Sequence, residues 1–219
     1  LASGCGSGGD KPAIDERERE LGREQHAQLL TQLGGAYGGP QAAYLKALGA
    51  KLAAQAGLEG ECTFTLVNTD VVNAFAVPGC YIYITRGLLA IMNSEDELAS
   101  VLGHEVGHVV ADHAAQRQNT AALTGIGAIV VGILTGSGDA ARAASQAAQL
   151  YTLNYSRDQE FEADDLGVRY LTRANYNPFA AADMLSALGV NDALNARISG
   201  RDAASAIPAW ARTHPLSAD

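Results

Sequence analysis

The sequence predicts an α+β fold, mainly helical, with one small antiparallel or mixed β-sheet beside a central helix. Three observations carry this. Two β-rich runs, Thr63–Val67 and Tyr81–Thr85, lie between stretches of helical periodicity. Gly-rich breaks punctuate the chain between these runs. The 219 residues are 47% hydrophobic but only 6% aromatic, an Ala- and Gly-rich composition that suits close helix packing better than a core of large side chains.

Each element follows in order. Residues 15–33 have helical character and stop at Gly34-Gly35. Residues 41–56 set Tyr44, Leu45, Leu48 and Leu52 at helical spacing and end at Gly57. Residues 63–67 alternate in strand fashion, residues 68–70 are turn-like, and residues 71–77 read as extended. Pro78-Gly79 turns the chain into residues 81–85, rich in aromatic and β-branched side chains. From Leu88 onward the pattern is helix or loop. Ser94 with Glu97 three residues on predicts a capping box that opens a helix through Leu98, Val101, Leu102 and Val109. The apolar run 121–134 is 14 residues long and carries three glycines, short of the roughly 20 that a spanning helix needs. It reads as a buried helix or a partly exposed flap, and residues 140–150 resume a helical pattern.

Fifteen Lys and Arg against 24 Asp and Glu give a formal charge of −9, which argues against a nucleic-acid groove. Leu1-Ala2-Ser3-Gly4-Cys5 resembles the end of a bacterial lipoprotein signal, where small residues precede a Cys that becomes lipidated. On that reading residues 1–13 are a lipoprotein-like start and flexible tether, residues 14–219 form a single domain, and the protein sits on the periplasmic side of a bacterial envelope. The alternative is an ordinary thiol in a disordered tail. If Cys5 is lipidated, Cys62 and Cys80 remain as a pair, either a disulfide or two reduced buried thiols.

The chemistry concentrates in His104-Glu105-Val106-Gly107-His108. Residues four apart share a helix face, so His104 and His108 can hold one metal between them. Glu105 lies about 100° round from His104, within reach of a metal-bound water without being a ligand. The competing reading is two surface histidines, which the capped, apolar-faced helix disfavours. Catalytic zinc usually takes three protein ligands and a water. His113 is nearest in sequence, but on a continuous helix it sits about 140° from His108 and reads as structural. Glu160 and Asp164 are four apart on a second helix. Glu160 could bind metal while Asp164 accepts a hydrogen bond from a ligand imidazole. Glu162, about 200° from Glu160, should be solvated. By geometry alone, a surface acidic cluster is an equal reading of this segment.

The runs Asn73-Ala74-Phe75-Ala76-Val77-Pro78-Gly79, Tyr81 through Leu89, Glu97 through His108, and Ser156-Arg157 with Glu160, Ala163, Asp164 and Gly167 resemble the HtpX/BepA-type zinc metallopeptidases, gluzincin relatives of the CAAX prenyl proteases. The resemblance covers residues 21–215. It implies a zincin-like metallopeptidase domain with one Zn2+ on His104, His108 and Glu160, Glu105 as base and Asp164 behind the ligands. Cys80 departs from it, standing where the family usually has a second Gly. Thr213-His214-Pro215 matches a His-Pro of the family. His214 could donate to the oxyanion, occupy the open position on the metal, or be a loop residue.

The implied activity is hydrolysis of peptide bonds in unfolded or misassembled envelope proteins, with Glu105 activating a zinc-bound water. An extended substrate could pair with an exposed edge at Asn73, Ala74, Phe75 and Ala76, under a flap that limits entry. The alternative is a zinc-containing chaperone or assembly factor with an occluded site.

Overall fold

The computed structural model describes residues 14–116 and 155–198. The tether with Cys5, the apolar run 121–134 and His214 lie outside the described residues. Helix α1 spans Glu16–Gln32. Asp15 caps it: its carboxylate accepts from the Glu18 N–H at 2.7 Å, and the Glu18 carboxylate accepts from the Asp15 N–H at 3.3 Å. Gly34 and Gly35 follow at φ 79° and 84°, a left-handed stop open to few other residues. Helix α2, Pro40–Gln55, begins on a proline that has no N–H to leave unsatisfied.

Three strands follow, β1 Thr63–Val67, β2 Ala74–Val77 and β3 Tyr81–Thr85, in the spatial order β1-β3-β2. The sheet is mixed. Thr63 pairs with Tyr81 in the parallel β1–β3 ladder, and Ala74 with Ile84 in the antiparallel β2–β3 ladder. The expected extended run from residue 71 is ladder-bonded only from Ala74. The residue before it is tied by backbone and side chain together: the Asn73 carbonyl accepts from the Thr85 N–H at 3.1 Å and from Thr85 Oγ1 at 2.9 Å, and Thr85 Oγ1 accepts from the Asn73 N–H at 3.1 Å.

Strand alternation divides the core in two. Phe64, Leu66, Ala74, Ala76, Ile82 and Ile84 face the large cluster built by α2 and the helices after the sheet. Val67, Val77 and Tyr83 face the other way, onto Leu29 and Leu33 of α1. The outer edge of β1 is covered by a bridge to Ala36. That of β2 has no strand partner among the described residues.

Cys62 and Cys80 form a disulfide with their Cα atoms 4.6 Å apart, which resolves the two readings of this pair. It ties the start of β1 to the β2–β3 turn. Cys80 has φ 57°, in the left-handed region that favours glycine. The departure at this position is therefore a non-glycine residue in a glycine conformation, held by a covalent link.

Helix α3, Arg86–Leu89, is a single turn after β3. Helix α4, Glu95–Val110, is the central element and packs against α2, β2 and both later helices. Its expected capping box is half formed. Ser94 Oγ accepts from the Glu97 N–H at 3.1 Å, but the Glu97 carboxylate reaches one residue further back and accepts from the Asn93 N–H at 2.8 Å.

Helices α5, Arg157–Arg173, and α6, Ala180–Ile198, complete the described chain. The link between them is anchored on the first turn of α4. The Tyr176 hydroxyl donates to Glu95 Oε1 at 2.7 Å, and the Asn177 N–H to Asp96 Oδ1 at 3.1 Å. Burial and the adjacent Glu95 carboxylate push the Tyr176 hydroxyl up to about 12, so it stays a donor throughout the neutral range. No described helix is long and apolar enough to cross a membrane.

His26 on α1 is wedged against the sheet, its Nδ1 2.7 Å from the hydroxyl of fully buried Tyr83, whose ring stacks on Phe75 of β2. Burial lowers the His26 pKa below its ordinary value, so the neutral ring is the folded form. The unfolded chain takes up that proton first. The associated stability is present above about pH 6.5 and is lost as pH falls through the lowered folded value. Urea unfolding of wild type between about pH 7 and pH 5 should show a larger loss of stability than His26→Gln, which does not titrate. Parallel curves for the two chains would remove His26 as the source.

Candidate metal centre

The two histidines of the motif lie in the third and fourth turns of α4, both buried, at 8% and 1% exposure. Glu160 reaches them from the first turn of α5. That helix starts cleanly because Ser156 and Gln159 form a complete capping box, with mutual bonds of 3.2 and 3.1 Å. The S-x-x-Q pattern was available in the sequence and fixes where Glu160 emerges.

Small residues let the two helices approach. Gly103 and Gly107 on α4 face Ala163 and Gly167 on α5. A Cβ at position 107 would stand 2.7 Å from the Ala163 carbonyl oxygen, and one at position 167 would stand 3.0 Å from the His104 backbone nitrogen. Close backbone packing places the carboxylate of one helix beside the imidazoles of the other. His104 Nε2 and His108 Nε2 are 2.9 Å apart, and the Glu160 oxygens stand 3.5 Å from each of them.

This donor set fits a tetrahedral cation. Ligands about 2.0–2.1 Å from zinc are roughly 3.3–3.4 Å from one another. The three side chains bring one donor atom each to within 4.8 Å of the others, and the short contacts bracket the tetrahedral spacing. Two imidazoles and one carboxylate are also a known ligand set of catalytic zinc sites.

The other ring nitrogens point away from the cluster. His104 Nδ1 is 2.8 Å from Asp164 Oδ1, one turn beyond Glu160 on the same face of α5. Burial disfavours the charged His104 ring, but the Asp164 hydrogen bond and the nearby Glu105 and Glu160 carboxylates outweigh it and raise its pKa. Glu105 is completely buried, on the turn of α4 that carries His104.

One placement differs from the sequence expectation, and a second brings a contact that the expectation did not include. His113 does not face elsewhere: it is fully buried with Nδ1 2.9 Å from His108 Nδ1. The expected 140° offset assumed a helix running through residue 113. Instead α4 ends at Val110, and Asp112 at φ 56° turns the chain back towards the site. Glu162 is exposed, as expected, yet its Oε2 lies 3.3 Å from His113 Nε2. Burial lowers the His113 pKa, partly offset by Glu162. Tyr155, which sequence reasoning passed over, stacks on His108 with ring centres 3.9 Å apart.

The candidate substrate residues line the β2 edge. Asn73, Ala74 and Ala76 have buried side chains and Phe75 is half-buried, so what the edge offers is backbone. Asn73 Oδ1 is buried with no hydrogen-bond partner among the described residues. A cavity of about 450 Å³ lies among the start of α1, the end of β2 with its turn into β3, and the end of α4, lined by Glu18, Leu21, Val77, Pro78, His108 and Tyr155 among others; of His104, His108 and Glu160, its described wall includes His108.

Comparison with known proteins bears on this arrangement. A family model described as Peptidase family M48 matches residues 40–219. A beta-barrel assembly-enhancing protease of Yersinia pestis is 34% identical over 155 residues, covering 66% of this chain and 32% of the relative. The protein of that name in Escherichia coli is 31% identical over 183 residues, covering 79% and 36%. The mitochondrial metalloendopeptidase OMA1 of Arabidopsis thaliana is 36% identical over 138 residues, covering 63% and 28%. The chain spans about a third of the length of the curated relatives it matches.

Proposed function

The chain belongs to peptidase family M48, and on that premise we propose that it hydrolyses internal peptide bonds as a zinc metalloendopeptidase. The observation that carries this reading is the convergence of His104, His108 and Glu160 in a tetrahedral spacing, with Glu105 buried beside them on the same helix.

His104 and His108 would hold the zinc through Nε2, and Glu160 would hold it through its carboxylate. When bound, the metal supplies Lewis-acid polarisation of the scissile carbonyl and acidifies the attacking water. Glu105 accepts the proton of that water and delivers it to the departing amine nitrogen, acting as base and then as acid. Asp164 orients His104 through Nδ1. The substrate lies extended against the open side of β2, where backbone pairing gives affinity with little sequence preference. Asn73, Ala74, Phe75 and Ala76 are assigned to that edge, and the cavity beside His108 is assigned to a substrate side chain. His214, outside the described residues, is assigned to the neighbourhood of the metal.

The substrates are unfolded or misassembled proteins of a bacterial envelope, with the domain held on the periplasmic side by a lipid on Cys5. Two features support this. The bacterial relatives carry a name that couples proteolysis to β-barrel assembly, and a Cys62–Cys80 disulfide belongs to an oxidising compartment.

The test is casein cleavage and bound zinc measured on the same preparation. About one zinc per chain is expected, with cleavage stopped by a chelator and restored by added zinc. Bound zinc without cleavage of any unfolded substrate would favour the assembly-factor reading, and no bound zinc would sink the proposal.

A further inference from the structure

The two metal-facing histidines are oriented by different devices, and only one of them is a direct carboxylate. His104 Nδ1 meets Asp164, while His108 Nδ1 meets a third histidine, His113, at 2.9 Å in a fully buried position. Two imidazole nitrogens at that distance need one proton between them. A neutral His108 that keeps its Nε2 lone pair for a cation carries its proton on Nδ1. His108 therefore donates, and His113 Nδ1 accepts. A neutral His113 then carries its own proton on Nε2, which faces Glu162 Oε2 at 3.3 Å.

We infer that His113 is a positioning residue of the metal centre: with Glu162 behind it, it fixes the Nδ1–H form of His108 and so sets zinc affinity. The inference rests on the proposed zinc site and deepens it. Only a chain reversal after α4 makes the contact, and Asp112 in the left-handed region supplies one. Tyr155 stacked on the His108 ring leaves it one plane, so its Nδ1–H has one acceptor direction. Position 162 lies on a different face of α5 from Glu160, so it reaches the site by way of the chain beyond α4 and not through the helix seam. Glu160, Glu162 and Asp164 thus give α5 three different duties within two turns: ligand, support for His108 through His113, and support for His104.

The test is zinc affinity by chelator competition, with the visible spectrum of the cobalt-substituted chain as a second readout. His113→Ala should bind zinc about 10–100-fold more weakly and shift the cobalt bands. His113→Gln, which keeps an acceptor, should return to within about threefold of wild type. Glu162→Gln keeps an acceptor but loses the charge and should weaken binding by about threefold. Unchanged affinity and an unchanged cobalt spectrum in His113→Ala would overturn the inference. So would failure of His113→Gln to rescue a chain that unfolds like wild type in chelator, since that marks a packing role. If His113→Ala does not fold, the exposed Glu162 decides: unchanged affinity and spectrum in Glu162→Gln overturns the inference. Wild type that takes up no zinc overturns the zinc-peptidase reading and this inference with it; tight wild-type binding with an indifferent His113 overturns this inference alone.

Discussion

Glu105→Gln is expected to bind zinc like wild type and to cleave casein at least about 100-fold more slowly, the lower range for loss of a positioned proton acceptor. Gln matches Glu in shape, so α4 and its contacts with α5 should persist. Glu105 is completely buried one residue after His104, so its removal cannot be read as a surface effect. What Gln lacks is basicity. It cannot take a proton from the attacking water or return one to the amine. The two measurements must be made together, because lost activity with lost zinc would indicate a damaged site. Retained zinc with retained cleavage would place the base elsewhere and remove Glu105 from the mechanism.

Gly107→Ala should damage the site without touching a ligand. The added Cβ would lie 2.7 Å from the Ala163 carbonyl oxygen and 3.1 Å from the Ala163 Cα, both backbone atoms that no rotamer change can move. The helices must separate, at a cost of about 1–3 kcal/mol typical of overpacking. Because α5 carries Glu160, the same separation draws the carboxylate from the two imidazoles. Zinc affinity should fall about tenfold or more, since workable ligand distances tolerate only about 0.2 Å. Gly189 on α6 is the control. A Cβ there meets nothing within 4 Å, so Gly189→Ala should stabilise the chain by about 0.5–1 kcal/mol through helix propensity and leave zinc binding alone. Equal behaviour of the two variants in thermal unfolding and zinc titration would refute the seam as the positioning device.

Much of this arrangement could be read before the structure because it is written in short-range patterns. Helix periodicity, the glycine stops and the i, i+4 spacing of His104 with His108 are local. So is the spacing of Glu160 and Asp164, although only family resemblance argued that their helix meets α4. Where the reading failed, the cause was a local rule extended past its range. His113 was placed by helical angles beyond a helix that ends at Val110. Asp at position 112 is one of the few non-glycine residues that tolerate a left-handed reversal, but nothing in the neighbouring sequence demands one. The Glu97 carboxylate chose the Asn93 N–H over that of Ser94, a choice between adjacent donors that a pattern cannot rank. Pairing of Cys62 with Cys80 depended on β1 lying beside β3, a contact across the sheet that no spacing rule encodes.

The division of the ligands between α4 and α5 has a thermodynamic meaning. His104 and His108 belong to one helix and Glu160 to another, which meets it along a seam where Gly103 and Gly107 face Ala163 and Gly167. A cation shared by the two helices binds the docked arrangement and not the separated one, so occupancy and docking are a single equilibrium. A cation held at this site would then act as a clasp between the two helices, and any change that drew α5 from α4 would weaken its binding.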